Sequence, residues 1–258
     1  MNKSHDLTLA IEAARKAGEV IRDGFGKIQI IESKGAKGIV TETDKKAEQV
    51  IVSILQKSPY PILAEESGFI GEKSDTYWAV DPVDGTNNFS RNVDLIAVSI
   101  ALIKENQVQL GVVYNPIKDH CYFAEKGQGA YCNDKKIQVS KNAPLSSNSI
   151  IIVEFGYGDE AKLAYKDLLA KVALLCRLRK FGSTAFELCF VAGGFYDAFL
   201  TQREEIWDVA AGILLVEEAG GKVTDWKGNP WTITNPYILA SNGLIHDGLV
   251  KEISDLQK

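Results

Sequence analysis

Trp78-Ala79-Val80-Asp81-Pro82-Val83-Asp84-Gly85-Thr86-Asn87-Asn88-Phe89 is the stretch on which the reading of this chain turns. The apolar run Tyr77 to Val80 predicts a buried strand that delivers two aspartates three residues apart. Pro82 between them lacks a backbone donor and fixes φ, so a helix does not propagate through the pair. Gly85 permits a tight turn or a close backbone approach by a ligand. Asp84 or Thr86 is placed to cap a helix starting there, whose first N–H groups would face whatever lies in front. Carboxylates for a hard cation beside N–H groups for an anion suit a metal-plus-phosphate site. A capped, aspartate-rich turn accounts for the same letters equally well, and the rest of the chain has to separate the two.

Working outward, the N-terminal side predicts a helix over about Leu7–Arg22, a strand over Lys27–Glu32 and a small basic loop, Ser33-Lys34-Gly35-Ala36-Lys37-Gly38, suited to a flap over an anionic site. Thr41-Glu42-Thr43-Asp44 leads into a second amphipathic helix, with Thr43 or Asp44 as its N-cap. Ile62–Ala64 reads as a strand that delivers Glu65-Glu66, at the strand end where open α/β sheets place their sites. Beyond the central stretch, strands are expected over Leu95–Ile103, Gln109–Tyr114 and His120–Ala124. Asn142–Asn148, polar and containing Pro144, is the expected boundary between two lobes, about 1–142 and 149–258, of a single domain spanning 1–258.

The second half alternates. Strands are expected at Ile150–Val153, Phe195–Leu200, Lys222–Thr224 and Tyr237–Ser241, with helices over Ala161–Leu175, Thr184–Ala192 and Trp207–Ala219 and a last one through Ile245–Leu256. Asp208 lies at the start of the Trp207 helix, where the helix dipole favours an acid on its own account.

Composition narrows the function classes. With 29 Lys+Arg against 34 Asp+Glu the net charge is −5, and there is no long basic run, which argues against nucleic acid as a partner. The most apolar stretch, Leu95–Ile103, is too short to cross a bilayer as a helix, which takes about 20 residues. Four cysteines without C-x-x-C spacing read as free thiols, and the N-terminus lacks the apolar core of a secretory signal, so a cytoplasmic protein is expected. Acids recur at the ends of elements (Asp44, Glu65, Asp81, Asp84, Asp208) with no histidine nearby, an all-oxygen set that suits Mg²⁺.

Taken together the motifs resemble the inositol monophosphatase family of Mg²⁺-dependent, lithium-sensitive phosphatases, within the wider group that includes fructose-1,6-bisphosphatases. The residues that carry the resemblance are Trp78–Phe89, the run Ile206-Trp207-Asp208-Val209-Ala210-Ala211-Gly212 continuing to Glu218-Ala219-Gly220-Gly221, and the blocks Glu65-Glu66-Ser67 and Val40-Thr41-Glu42-Thr43-Asp44. They fall in the family's order and span nearly the whole chain.

The resemblance implies a layered α-β-α-β-α sandwich of the α+β or α/β kind. It implies two to three Mg²⁺ ions, the first held by Glu65, Asp81 and the carbonyl of Val83 and the second by Asp81, Asp84 and Asp208. Thr86, oriented by Asp44, would position and deprotonate the attacking water, while the N–H groups of Gly85 and Thr86 cradle the phosphate. Ser183, in Gly182-Ser183-Thr184, matches the substrate loop, flanked by Arg179 and Lys180. The partner implied is a small phosphorylated metabolite, foremost an inositol monophosphate, and the assembly a homodimer. One departure concerns substrate: the glutamate that the family places seven residues before the helix aspartate is Thr201 here, leaving Glu204 or Glu205 to stand in and Arg203 to meet a second anionic group. Fructose-1,6-bisphosphate, histidinol phosphate and adenosine bisphosphate or NADP stay open as substrates, as does a regulatory binding protein that keeps the fold.

Overall fold

A stripe of small residues brings the first two helices together. In α1 (His5–Gly24) Leu7, Ala10, Ala13, Ala14, Ala17 and Ile21 are fully buried, and they pack on Ala47, Ile51 and Leu55 of α2 (Glu42–Leu55). The structure, a computed structural model, describes residues 3–35, 38–156 and 159–257. Between the helices lies a hairpin of β1 (Ile31–Ser33) and β2 (Ile39–Thr41). The strand expected from Lys27 begins only at Ile31, because its partner β2 offers three residues before α2 starts; Ile28 and Ile30 are left exposed. The expected flap falls on this hairpin's turn, where Ala36 and Lys37 lie outside the described residues. The cap of α2 also differs from expectation: Thr41 is the N-cap, and Asp44 completes a capping box from the third helical position.

An eight-stranded sheet follows, made of β3 (Ile62–Ala64), β4 (Gly68–Ile70), β5 (Thr76–Asp84), β6 (Ala97–Lys104), β7 (Gln107–Asn115), β8 (His120–Glu125), β9 (Ala130–Cys132) and β10 (Lys135–Lys136). Its order is β10-β9-β8-β7-β6-β5-β3-β4, antiparallel except where β3 runs parallel to β5. The second sheet takes β11 (Ile150–Val153), β12 (Arg177–Arg179), β13 (Ala198–Gln202), β14 (Lys222–Thr224) and β15 (Tyr237–Ser241) in the order β12-β11-β13-β15-β14.

The remaining helices are the short α3 (Thr86–Phe89), α4 (Asp159–Val172), α5 (Thr184–Ala192), α6 (Ile206–Glu218) and α7 (His246–Ile253). Helices α1 and α2 cover one face of the large sheet, α5 and α6 fill the space between the sheets, and α4 and α7 cover the outer face of the small sheet. The result is the five-layer α-β-α-β-α arrangement that the motifs imply. Helix α6 is buried continuously from Asp208 to Val216, as a helix apolar on all sides must be. It lies so close to β7 that a Cβ on Gly111 would come within 2.7 Å of Ala211 Cα. That approach fixes where the start of α6, and with it Asp208, meets the end of β5.

Candidate active site

The central strand does not stop at Val80. It runs on to Asp84, and the register against β6 shifts between Asp81 and Asp84, a bulge placed where Pro82 can donate no ladder bond. The irregularity projects both aspartates at the strand's carboxyl end, next to Glu65, whose N–H donates to Val80 O at 3.1 Å.

Gly85 then turns the chain. Its φ is +88°, and an added Cβ would lie 3.0 Å from Leu95 O and 3.1 Å from Ser183 Cβ. Gly85 occupies the N-cap position of α3 with no side-chain cap, so neither Asp84 nor Thr86 performs the capping that the sequence suggests. Each has another partner. Thr86 Oγ1 lies 2.8 Å from Asp44 Oδ1 and 3.0 Å from Val83 O.

Asp84 reaches across to the second half of the chain and accepts from Ser183 Oγ (2.6 Å) and from the N–H groups of Thr184 (3.0 Å), Ala185 (2.9 Å) and Phe186 (3.3 Å). A carboxylate at those N–H groups also meets the positive end of the α5 dipole. Ser183 thus enters the site through Asp84. Asp208 is the third residue of α6 and accepts from Glu205 N at 3.0 Å.

Glu65, Asp81, Val83, Asp84, Gly85, Thr86 and Asp208 line one cleft of ≈ 280 Å³. Glu154, Phe155, Gly156, Lys162 and Glu204 line the same cleft. Arg203 does not: it sits exposed on the turn before α6 with φ +61°.

The acids crowd one another. Burial, then the neighbouring charges of Glu65, Asp84 and Asp208, pushes Asp81 well above the usual carboxylate range. Burial raises Asp208 likewise, with Glu204 and Asp84 adding to it. For Asp84, burial outweighs its hydrogen bonds from Ser183 and α5 and pushes it up to about 7. Lys34, from the β1–β2 hairpin, supplies compensation: its Nζ lies 2.8 Å from Glu65 Oε1 and 2.5 Å from Glu66 Oε1. Burial works against the charge of Lys34, yet these two carboxylates hold its pKa above the usual lysine range.

Among the described residues no three Asp, Glu, His or Cys side chains are gathered tightly enough to hold a metal ion as they stand. The reason is visible in the contacts, since Asp84 is turned to the α5 N–H groups and Glu65 to Lys34. The donor chemistry nevertheless fits a hard cation: every donor is oxygen, and the unbalanced charge of Asp81, Asp84 and Asp208 is the surplus that a divalent ion would neutralise.

Three supporting acids were not anticipated. Glu48 is 3% exposed and accepts from Glu66 N (2.8 Å) and Ser67 Oγ (2.5 Å), fixing the turn that carries Glu65. Its signal was an acid at core spacing beside Asp44, Ala47 and Ile51. Glu154 follows an apolar strand, as Glu65 does, and it pairs with Lys180 and accepts from Gly182 N at 3.0 Å. Glu187 Oε1 accepts from the N–H groups of Phe181 and Gly182, so two acids shape the loop ahead of Ser183. No local pattern marks Glu187, which lies within an apolar helix.

Comparison with known proteins agrees with the geometry. The family model described as "Inositol monophosphatase family" matches residues 2–258. The inositol-1-monophosphatase of Mesorhizobium japonicum is 37% identical over 98% of this chain and 97% of its own. The fructose-1,6-bisphosphatase/inositol-1-monophosphatase of Thermotoga maritima is 36% identical over 97% of this chain and 96% of its own. The crystal structure of extragenic suppressor protein suhB from Bartonella henselae superposes with a TM-score of 0.91 at 36% identity, covering 99% of each chain.

Proposed function

The chain belongs to the inositol monophosphatase family, whose members are phosphoric monoester hydrolases, and on that footing we propose that it is a Mg²⁺-dependent phosphatase of small polyol or sugar phosphates, foremost an inositol monophosphate. The observation that carries the reading is the Thr86–Asp44 contact at 2.8 Å, which stands in the same cleft as Glu65, Asp81, Asp84 and Asp208.

Glu65, Asp81 and the Val83 carbonyl would hold one Mg²⁺, Asp81, Asp84 and Asp208 a second, and Glu65 with waters a weaker third. Magnesium supplies charge neutralisation of the phosphate and acidification of a bound water. The chain's own residues do the rest. Asp44 Oδ1 accepts the Thr86 hydroxyl hydrogen bond, which leaves the Thr86 oxygen lone pairs free to orient a water and draw off its proton. As that proton reaches Thr86 Oγ1, the hydroxyl's own proton passes to Asp44 Oδ1. Burial, acting against the hydrogen bonds from Thr41 and Thr86, raises the Asp44 pKa and so makes it a better acceptor than a solvated aspartate. The N–H groups of Gly85 and Thr86 cradle the phosphate. Thr184 and the loop at Gly182 border the leaving group, with Ser183 behind them steadying Asp84.

The relatives' names support an inositol phosphate and leave fructose 1,6-bisphosphate as the competing substrate. Among the described residues no helix is long and apolar enough to cross a membrane. A cytoplasmic homodimer is the working form that the family resemblance implies. The test is Mg²⁺-dependent phosphate release from inositol 1-phosphate, fructose 1,6-bisphosphate, histidinol phosphate and adenosine 3′,5′-bisphosphate, with and without lithium. Inositol 1-phosphate is expected to give the highest kcat/KM, with lithium inhibiting. Release from none of the four would sink the proposal.

A further inference from the structure

Helix α5 is apolar through Ala185, Phe186, Leu188 and Cys189, yet it buries Glu187 completely. Oε1 of Glu187 accepts from Phe181 N at 2.5 Å and from Gly182 N at 3.0 Å. Among the described residues its other oxygen, Oε2, is buried without a hydrogen-bond partner. Glu154, 4% exposed just past β11, converges on the same peptide: Oε1 accepts from Gly182 N at 3.0 Å and Oε2 pairs with Lys180 Nζ. Two carboxyl groups on one N–H stand side by side. Were both ionised they would repel, and Glu187 Oε2 would have no donor to offset its charge. A proton on Oε2 removes one of the two charges and turns an idle acceptor into a donor. The groups facing the pair from other elements are Asp84 of β5, Glu204 of the turn before α6 and Tyr165 of α4, none of them cationic, while Lys180 is engaged by Glu154. Burial, then the charge of Glu154, pushes Glu187 well above the usual carboxylate range.

Resting on the phosphatase reading above, we infer that Glu187 and Glu154 share one proton, held on Glu187 Oε2 and donated to Glu154, and that the pair clamps the loop 180–183 in place. The clamp closes from the opposite side through Asn88, whose Nδ2 donates to Phe181 O at 2.7 Å and to Leu95 O at 2.8 Å. The peptide joining Phe181 to Gly182 is therefore held at its oxygen and at its N–H. Gly182 lines the cleft, and Ser183, next along, donates to Asp84 Oδ2 at 2.6 Å. Glu187, fully buried, lies behind that lining. It is a positioning residue, which sets the loop bordering the leaving group and, through Ser183, the carboxylate of Asp84.

Glu187→Gln reproduces the protonated form, because its amide oxygen keeps the two N–H contacts and its NH₂ donates where the proton did. Above the ordinary glutamate value of 4.5 the unfolded wild type is ionised at Glu187 while the fold keeps it neutral. Unfolding then releases a proton, so wild-type stability falls as the pH rises, and the variant escapes that loss. Urea unfolding at one Mg²⁺ concentration is expected to show the variant's folding constant gaining on wild type by up to about tenfold per pH unit between about pH 5 and 7. A gap that is flat in pH, or that moves towards wild type as the pH rises, overturns the shared proton. Steady-state kinetics on inositol 1-phosphate read the positioning role. Glu187→Gln should keep kcat/KM within about threefold, whereas Glu187→Leu, which removes both contacts, should raise KM and the half-saturating Mg²⁺ concentration about tenfold each, with a smaller fall in kcat. A leucine variant with wild-type KM and Mg²⁺ dependence overturns the clamp, as does an equal loss in the glutamine variant. The unfolding comparison needs only the isosteric Glu187→Gln, so it decides the inference even where Glu187→Leu does not fold. If wild type releases no phosphate, the phosphatase reading falls, and the unfolding comparison still decides the shared proton.

Discussion

Thr86 Oγ1 sits 2.8 Å from Asp44 Oδ1, joining the turn after the central strand to the capping box of a helix 42 residues earlier. Asp44 can hold that position because Thr41 N donates to its other oxygen at 3.0 Å, and the Thr41 hydroxyl donates there too. One carboxylate therefore caps α2 and orients Thr86. Thr86→Ala should lower kcat about 10²–10³-fold with little change in KM, because the hydroxyl acts on the water and not on substrate binding. Thr86→Ser, which keeps the hydroxyl, should stay within about tenfold of wild type. Steady-state kinetics on inositol 1-phosphate decide it, and an alanine variant near wild-type kcat would remove Thr86 from the chemistry.

Asp84 spans the two halves of the molecule through Ser183 and the first N–H groups of α5. A cation bound there draws on a group whose charge is poorly balanced in its absence, so Mg²⁺ should stabilise the fold. At 100 times its dissociation constant the gain is about 2.7 kcal/mol, which for a protein of this size raises the melting temperature by roughly 5–10 °C. Protons compete for the same oxygens. With Asp84 near 7 and Asp81 and Asp208 also raised, the half-saturating Mg²⁺ concentration should fall as pH rises from 6 to 8. Thermal scans with and without Mg²⁺ measure both effects. In Asp84→Asn the Mg²⁺-dependent increment should shrink by at least half, and an undiminished increment would place the ion elsewhere.

How far this arrangement is legible in the sequence depends on the range of the interaction. Asp81, Pro82, Asp84 and Gly85 announce themselves because a strand end, a missing donor and a positive φ are local properties. The five layers follow from apolar periodicity together with the family motifs, and Thr184–Ala192 is found at the expected bounds. What stays hidden depends on partners distant in sequence. The acceptor role of Asp84 at α5 needs Ser183, 99 residues away, and the grip of Lys34 on Glu65 needs a hairpin to bring together residues 31 apart. The strand Arg177–Arg179 carries two charged side chains in three residues, and it forms because β11 leaves an edge for it. Glu204 and Glu205 are equal candidates by sequence, and only the fold separates them: Glu204 lines the cleft and meets Thr201, while Glu205 is the N-cap of α6.

Lys34 is a cation already present on two acids of the site, 2.8 Å from Glu65 and 2.5 Å from Glu66. It competes with any metal for Glu65. Lys34→Gln should therefore tighten Mg²⁺ binding several-fold while lowering the stability of the metal-free protein, since Glu66, which burial already pushes up to about 7, loses its partner. Calorimetric titration with Mg²⁺ and thermal scans in chelator give the two readings. Weaker Mg²⁺ binding in the variant would show instead that Lys34 assembles the site.

His246 offers a prediction far from the cleft. Its ring is fully buried, with Nδ1 2.8 Å from Ser241 Oγ and Nε2 2.9 Å from Thr224 Oγ1. Burial, aided by the charge of Lys222, lowers its pKa to about 4 from the ordinary 6.5. Between those values the unfolded chain binds a proton at this residue that the folded chain refuses. The contribution of His246 to stability is thus complete above pH 6.5 and is lost as the pH falls towards 4. Buried carboxylates with raised pKa values, Asp81 and Asp208 among them, titrate in the opposite sense, so the histidine is isolated by difference. Urea unfolding of wild type and His246→Gln should give a stability gap that is widest near neutral pH and narrows steadily below 6.5. A gap independent of pH would mean that the histidine has the same pKa folded and unfolded, and a gap that widens as the pH falls would mean that it is protonated in the fold, donating from both ring nitrogens to Ser241 and Thr224.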